Sequence, residues 1–289
     1  MRVNKTIYLL GIVFISIAMS AHADSPVWKV SKGNNHLYLG GTIHLLGKND
    51  YPLPRAFEKT YKVSSRLVFE TDMHKFQSPE FQKAFMKKIT YSGDRSLKDI
   101  LSKKNITALE KHFTDRGLTF EPMLQFKPGM LVMMLTVMEM KRLNIGDIGV
   151  DQFYINKGLK DGKKFTYLES VEEQLSFIVN MGENNPDELV TYTLRDMKNL
   201  GGQIAVMKSA WRKGDNLKLK EVALTPWQKD FPQLYNTLLV ERNNKWIPKI
   251  EAMLKTNEVE FVMFGALHMV GDDGVLAQLK ARGYSIQKQ

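Results

Sequence analysis

The sequence contains no cysteine among its 289 residues. This absence excludes disulfide bonds, a cysteine nucleophile and thiolate ligands for a metal ion. The short motifs of several enzyme classes are also missing: the zinc motif HExxH, the nucleophile elbow GxSxG, the dinucleotide motif GxGxxG and the Walker A loop. A Ser-His-Asp arrangement stays open, but no particular serine is indicated. Any catalytic site must therefore be assembled from residues that are far apart in the chain.

Basic residues outnumber acidic ones, with 41 Lys and Arg against 31 Asp and Glu, which gives a net charge of +10. These positive charges are spread along segments with helical periodicity, and no basic block is interleaved with aromatic residues. The pattern is typical of a solvated surface and does not predict a nucleic-acid partner. A peripheral association with an anionic membrane remains open.

The first 23 residues have the composition of a signal peptide. Arg2 and Lys5 precede an apolar run over residues 7–19, and an A-x-A cleavage pattern ends at Ala23. We therefore expect a periplasmic or secreted protein, with an uncleaved N-terminal anchor as the alternative. Removal of residues 1–23 leaves 266 residues and lowers the net charge to +8, because Arg2 and Lys5 are lost.

Residues 24–289 contain no linker-like or low-complexity segment, and we predict that they form one domain. Helical segments outnumber short apolar strands, and several strands are separated by helical crossovers. The expected fold is α/β or α+β, with a central mixed sheet built from two related halves and a large helical insert. The predicted strands that matter most for function read LYLGGTIH, RLVFE, KKFTYLE and VEFVMFG.

Three histidines stand three residues after a glycine: His36, His44 and His268. His36 lies within a predicted strand, directly after a turn, and is interpreted as structural. His44 and His268 each follow an apolar strand that has just passed a glycine. Because α/β folds place their sites at the ends of strands, these two histidines are the candidate site residues.

Two glutamates take similar positions. Glu70 ends the strand RLVFE, and Asp72 follows on the same face if the strand continues. Glu169 ends KKFTYLE, although it also adjoins a helix-capping pair, Ser170 with Glu173. A carboxylate that follows three apolar residues needs a metal, an arginine or backbone N–H groups as partner.

Two imidazoles and one carboxylate could hold a divalent metal with one position left for water. The sequence therefore predicts metal ligation by His44, Glu70 and His268, with manganese, cobalt or zinc as candidates. If their strands are parallel neighbours, the three side chains should approach within about 4–8 Å of each other. Arg242 could stabilise a developing oxyanion, while a surface ion pair with Glu241 is the alternative.

The sequence resembles the TraB/PrgY/GumN family over essentially the whole of residues 24–289. The segments LYLGGTIHLL, LVFETD, WRKGD, LLVERNNKW and FVMFGALHMVGDDG match in order. The central G-x-D, L-E and Q pattern is present as Gly149, Asp151, Glu169 and Gln174. That family is similar to the metal-dependent Tiki proteases and lies near the erythromycin-esterase and ChaN-like folds.

The resemblance implies that His44, Glu70 and His268 are site residues, with Arg242 and Asn243 in support. The resulting expectation is an exported metal-dependent hydrolase of peptidase type, acting on a peptide or small molecule. In such a hydrolase, Glu70 would be a metal ligand or the general base, and Arg242 or Asn243 would stabilise the oxyanion. The alternatives are a non-catalytic binding protein for haem or a peptide, and an accessory protein of envelope or polysaccharide export. Substrate, metal and oligomeric state are left open.

Overall fold

The computed structural model describes residues 25–289, so the predicted signal peptide at residues 1–23 lies outside the described residues. Six strands of this part form one mixed sheet, and the short strands β3 and β5 pair separately. The strands are β1 (Val27–Lys32), β2 (Asn35–Thr42), β3 (Leu45–Leu46), β4 (Arg66–Phe69), β5 (Asp147–Ile148), β6 (Lys164–Tyr167), β7 (Glu260–Gly265) and β8 (Ser285–Lys288).

The strand order of the large sheet is β6-β4-β7-β2-β1-β8. β6, β4, β7 and β2 run parallel to one another, while β1 is antiparallel to both β2 and β8. β2 and β7 lie side by side, with Tyr38 opposite Phe261 and Thr42 opposite Gly265. The two similar segments that end in a histidine are thus adjacent strands, and their carboxyl ends share one edge of the sheet.

Helices connect the parallel strands and also form most of the region between β4 and β7. They are α1 (Arg55–Val63), α2 (Pro79–Ile89), α3 (Lys103–Thr114), α4 (Pro128–Arg142), α5 (Val150–Lys160), α6 (Val171–Asn180), α7 (Pro186–Asp196), α8 (Leu200–Lys213), α9 (Asn216–Leu219), α10 (Thr225–Asp230), α11 (Pro232–Tyr235), α12 (Glu241–Met253) and α13 (Val275–Ala281). Two π-helical turns, Lys220–Leu224 and Asn236–Val240, interrupt the tract before α12. The mixed α/β fold predicted from the sequence is confirmed.

Local capping signals define several helix starts. Ser78 Oγ accepts the N–H of Phe81 at the start of α2, and Ser170 forms the predicted capping box with Glu173. The segment NITALEKHFTDRG predicts a helix that starts with Asn105, but α3 begins two residues earlier, at Lys103. Ser102 caps this helix, and its hydroxyl accepts the N–H of Asn105. The cap therefore lies three residues earlier than the asparagine that resembled one.

Two hydrophobic clusters stabilise the described part of the chain. The larger covers both faces of the sheet and includes Leu39, Phe57, Trp211 and Phe261, all fully buried. The smaller lies within the helical insert, among α3, α4 and α7, and includes Leu109, Leu131 and Val190. No helix within residues 25–289 is both long and apolar enough to cross a bilayer.

Candidate functional site

Polar residues gather at the carboxyl ends of the four parallel strands. Glu70 directly follows β4, and Glu169 follows β6 by two residues. His44 follows β2 by two residues, while His268 lies on a single 3-10 turn, Ala266–Met269, directly after β7. Because these strands are parallel, all four side chains start from the same edge of the sheet.

The last residue of β7, Gly265, marks where three of these side chains meet. A Cβ atom at this position would lie 3.4 Å from Glu70 Oε1, 3.6 Å from His44 Nε2 and 3.7 Å from His268 Cδ2. The three side chains therefore lie within about 8 Å of each other, as predicted from the strand arrangement. The missing side chain of Gly265 leaves the space between them open, and its N–H donates to Glu70 Oε1 at 2.7 Å.

Arg242, near the start of α12, connects the two glutamates. Its Nη2 donates to Glu70 Oε2 at 2.6 Å and to Glu169 Oε1 at 2.7 Å, and its Nε donates to Glu169 Oε2 at 3.1 Å. Its Nη1 donates to the Leu238 carbonyl at 3.2 Å and lies 3.1 Å from His268 Nε2. The guanidinium is buried, and its plane also contacts the Trp246 ring, 4.7 Å from the centroid.

These contacts use all five N–H groups of the guanidinium. Asn243 is equally occupied, since its Nδ2 donates to the carbonyls of His268 and Asp273. Neither side chain has a free donor for a developing oxyanion in this arrangement. The geometry thus disagrees with the expected oxyanion role of Arg242 and Asn243 and gives both a positioning role.

The tautomer of His268 follows from its neighbours. Because the Asn243 amide donates through Nδ2, its Oδ1 must accept from His268 Nδ1–H, at 2.7 Å. His268 Nε2 then carries the lone pair, and it faces an N–H of Arg242. Burial is the main cause that lowers the pKa of His268, to about 3, so this imidazole is neutral.

The pKa values of the two buried carboxylates shift in opposite directions, although Arg242 lowers both. Burial alone would raise the pKa of Glu70, but Arg242, followed by His268 and His44, lowers it to about 2. For Glu169, burial raises the pKa and the repulsion from Glu70 adds to it, against the attraction of Arg242. Glu70 is therefore the permanently ionised member of the pair. A carboxylate with so low a pKa is a weak proton acceptor and is better suited to holding a cation.

His44 has a different setting, with a side chain that is 65% exposed. Its Nδ1 lies 2.8 Å from Asp151 Oδ2, and the other oxygen of Asp151 accepts from Thr42 Oγ1 at 2.8 Å. The Asp151 carboxylate raises the pKa of His44 to about 9. The contact also directs the Nδ1–H toward Asp151 and leaves Nε2 facing Gly265, which is how proteins commonly orient a metal-binding imidazole.

Asp151 was not predicted as a site residue, although the G-x-D pattern contains it. It is the second residue of α5, on a helix start that is tied to the loop after β2. The Val150 N–H donates to the Ile43 carbonyl at 3.0 Å, and β3 pairs with β5 beside it. A side chain at Gly149 would lie 2.3 Å from the backbone of His44, so only glycine permits this approach.

The two remaining candidates lie apart from these contacts. His36 is within β2, opposite Ser31, and packs edge-on against Tyr38 with ring centroids 5.6 Å apart. This agrees with its interpretation as structural. Asp72 accepts the N–H of His74 at 3.1 Å in the loop after β4.

The donor set fits a divalent metal in part. His44 Nε2 has no hydrogen-bond partner among the described residues, and Glu70 Oε1 accepts only the Gly265 N–H. The raised pKa of His44 keeps a proton on Nε2 near neutral pH, so a metal ion would have to displace that proton before this nitrogen could donate its lone pair. His268 does not fit as placed, because its Nε2 faces Arg242. Within residues 25–289, no group of three His, Asp or Glu side chains is arranged to hold a metal ion.

Comparison with known proteins places the chain among its relatives. It is 23% identical over 257 residues to the uncharacterized protein YbaP of Escherichia coli (strain K12), covering 86% of this chain and 89% of that protein. The YbaP protein of Shigella flexneri matches to the same extent. No solved structure matches the chain significantly. The model of the TraB/PrgY/gumN family matches residues 26–288, and the chain therefore belongs to this family.

Proposed function

We propose that this protein is an exported, metal-dependent hydrolase of peptidase type. The observation that carries the proposal is the convergence of His44 Nε2 and Glu70 Oε1 on the open space at Gly265, with the neutral His268 beside them. The similarity of the family to the Tiki proteases supports the same reading. The proposed metal is manganese, cobalt or zinc, held by His44 and Glu70. The predicted third ligand, His268, would first have to give up the contact of its Nε2 with Arg242.

A bound divalent metal would supply Lewis acidity, which activates water and polarises a carbonyl group near neutral pH. The residues of the chain have distinct duties around it. Asp151 orients His44, and Asn243 keeps the proton of His268 on Nδ1. Arg242 holds Glu70 ionised and fixed, which is the state in which this carboxylate could serve as a ligand.

The balance of charges among the buried side chains of the site is a second observation that supports the proposed metal. Glu70 and Glu169 share one cation, Arg242, whereas Asp151 forms a separate pair with His44. Buried carboxylates in excess of their cationic partners are costly unless a cation or a proton compensates them. A divalent cation next to Glu70 and His44 would supply that compensation.

The test is metal binding by the purified protein, measured by calorimetry and elemental analysis. We expect one site for manganese, cobalt or zinc in the wild type, and its loss in His44→Ala and in Glu70→Gln. His36→Ala is the matched control, because His36 also follows a glycine by three residues but lies away from the site. Equal and negligible metal content in all four proteins would refute the proposal.

That outcome would favour the second candidate function, a non-catalytic binding protein. The occupied guanidinium of Arg242 supports this alternative, because its contact with His268 Nε2 closes the third ligand position without any metal. A binding protein would use the same cleft and would show neither metal-dependent turnover nor loss of ligand binding on chelation.

A further inference from the structure

A groove lies in the helical part of the molecule, next to the strand-end site. Its volume is about 770 Å³, and its walls are the end of α6, the start of α7, and the segment from α10 to the π-helical turn Asn236–Val240. A volume in this range is typical of sites for small molecules or peptide segments.

The groove reaches the site at Arg242. Leu238, in its wall, accepts a hydrogen bond from Arg242 Nη1, and the ring of Phe177 lies 5.4 Å from the guanidinium carbon. Gln174, one turn before Phe177 on α6, donates to Glu70 Oε2 at 3.0 Å. The same helix therefore contacts both the site and the groove, so that a bound chain could extend from one into the other.

The lining of the groove combines apolar side chains, side-chain amides and carboxylates. Apolar side chains continue into a second cavity of about 310 Å³, which shares five lining residues with the groove: Met181, Leu189, Phe231, Leu234 and Leu238. Side-chain amides supply both hydrogen-bond donors and acceptors; they are Asn180, Asn184, Asn185, Gln233 and Asn236. This combination suits a polypeptide, whose backbone pairs with amides while alternate side chains enter apolar subsites.

The charges of the groove are of one sign. Glu183, Glu188 and Asp230 line it, and no lysine or arginine does. Asp230 is paired with Arg195 at 2.7 Å, whereas neither Glu183 nor Glu188 forms an ion pair within residues 25–289. This is notable in a chain with 41 basic and 31 acidic residues. Glu183 is shared with a neighbouring cavity that Lys87, Arg95 and Lys127 also line, whereas Glu188 lines this groove alone. The carboxylates of the groove, Glu188 above all, would attract a cationic ligand and repel an anionic one.

We propose that this groove is the substrate-binding site of the proposed hydrolase and takes an extended peptide segment that carries apolar and basic side chains. The apolar side chains would occupy the cavity around Leu234 and Leu238, and a basic side chain would face Glu183 and Glu188. The inference rests on the proposed function for its reaction, but the binding itself can be measured without turnover.

The experiment is fluorescence anisotropy with labelled alanine–leucine peptides that differ only in carrying lysine, serine or glutamate. We expect the wild type to bind the lysine peptide most tightly and the glutamate peptide least. The double variant Glu183→Gln/Glu188→Gln should weaken binding of the lysine peptide by about five- to tenfold and leave the serine peptide unaffected. The control, Glu80→Gln/Glu110→Gln, removes the same charge from exposed positions outside the groove.

The inference would be overturned by equal affinity for the three peptides or by an equal loss of affinity in the control variant. Laurate, a fatty acid, tests the groove as a lipid site, and tighter binding of laurate than of the lysine peptide would also overturn the inference. Metal titration of the same double variant separates the two proposals. If the charge preference is found in a protein that binds no metal, the groove proposal stands and the hydrolase proposal fails. If metal binds and peptides are cleaved without charge preference, the groove proposal fails alone.

Discussion

At the scale of single residues, Arg242 is the side chain on which the network of the site depends. It is the partner of two buried carboxylates, and one of its N–H groups also donates to the Nε2 lone pair of the buried His268. Its main role in the fold is therefore to compensate charge. Replacement of one partner in such a buried group leaves the others unpaired in a medium where charge is costly.

We expect Arg242→Met to lower the free energy of unfolding by about 3–5 kcal/mol, because Glu70 and Glu169 would remain buried without their cation. Urea denaturation of the variant measures this loss. The control is Lys111→Met, which removes an exposed pair with Asp115 and should cost less than about 1 kcal/mol. A similar small loss in both variants would show that the site is more hydrated than its burial indicates.

Asp151 is a positioning residue, and its substitution should act through His44. Asp151→Asn keeps the size of the side chain but weakens the acceptor of the Nδ1–H. We expect metal affinity to fall by about 10- to 100-fold while the fold is retained. Calorimetric titration tests this, with circular dichroism to monitor folding. Asp272→Asn, at a side chain that is 95% exposed, should bind metal like the wild type. Unchanged affinity in Asp151→Asn would remove this residue from the site.

At the scale of elements, the strands and their order in space determine which residues meet. The sequence predicted the strands, the GxxH histidines and Glu70 at strand ends, because hydrophobic runs and glycines are visible in one dimension. It did not predict Asp151, since that contact depends on how α5 approaches the loop after β2. The sequence also could not show that every N–H group of Arg242 already has a hydrogen-bond acceptor. Whether a donor is occupied depends on distances in the fold and not on the residue type.

The opposite end of β7 carries a buried carboxylate of another kind. Glu260 is 3% exposed, and its Oε2 has no hydrogen-bond partner among the described residues. Its neighbour on β4, Arg66, is engaged by Glu258 and Thr166. Burial raises the pKa of Glu260 from 4.5 to about 7, and repulsion from Glu258 adds to this effect. The folded protein therefore favours the neutral acid at this position.

A raised pKa makes stability depend on pH. The contribution of Glu260 is complete below about pH 4.5 and is lost as the pH rises through about 7, because the unfolded chain then ionises more readily. Glu260→Gln should remove this dependence and raise the melting temperature relative to wild type at about pH 8 but not at about pH 5. Thermal unfolding at both pH values tests it, with the exposed Glu80→Gln as control. A constant difference between wild type and Glu260→Gln would contradict the prediction.

At the scale of the whole molecule, export is the prediction that depends on sequence alone. The order of basic, apolar and small residues over positions 1–23 predicts cleavage after Ala23. Mass spectrometry of the protein from the envelope fraction should find Asp24 at the N-terminus. An intact Met1 in that fraction would contradict cleavage and support the membrane-anchored alternative.

The pairing of β2 with β7 also sets the order in which the molecule can form. Tyr38 and Phe261 are neighbours in the sheet although more than two hundred residues separate them in the chain. A ribosome that has made only the first 250 residues has released β2 with β1 as its partner, but not β7. Closing so long a loop is slow, because its entropy is lost before the contacts form. The sheet, and with it the meeting of His44 and His268, therefore cannot be completed before β7 has been synthesised.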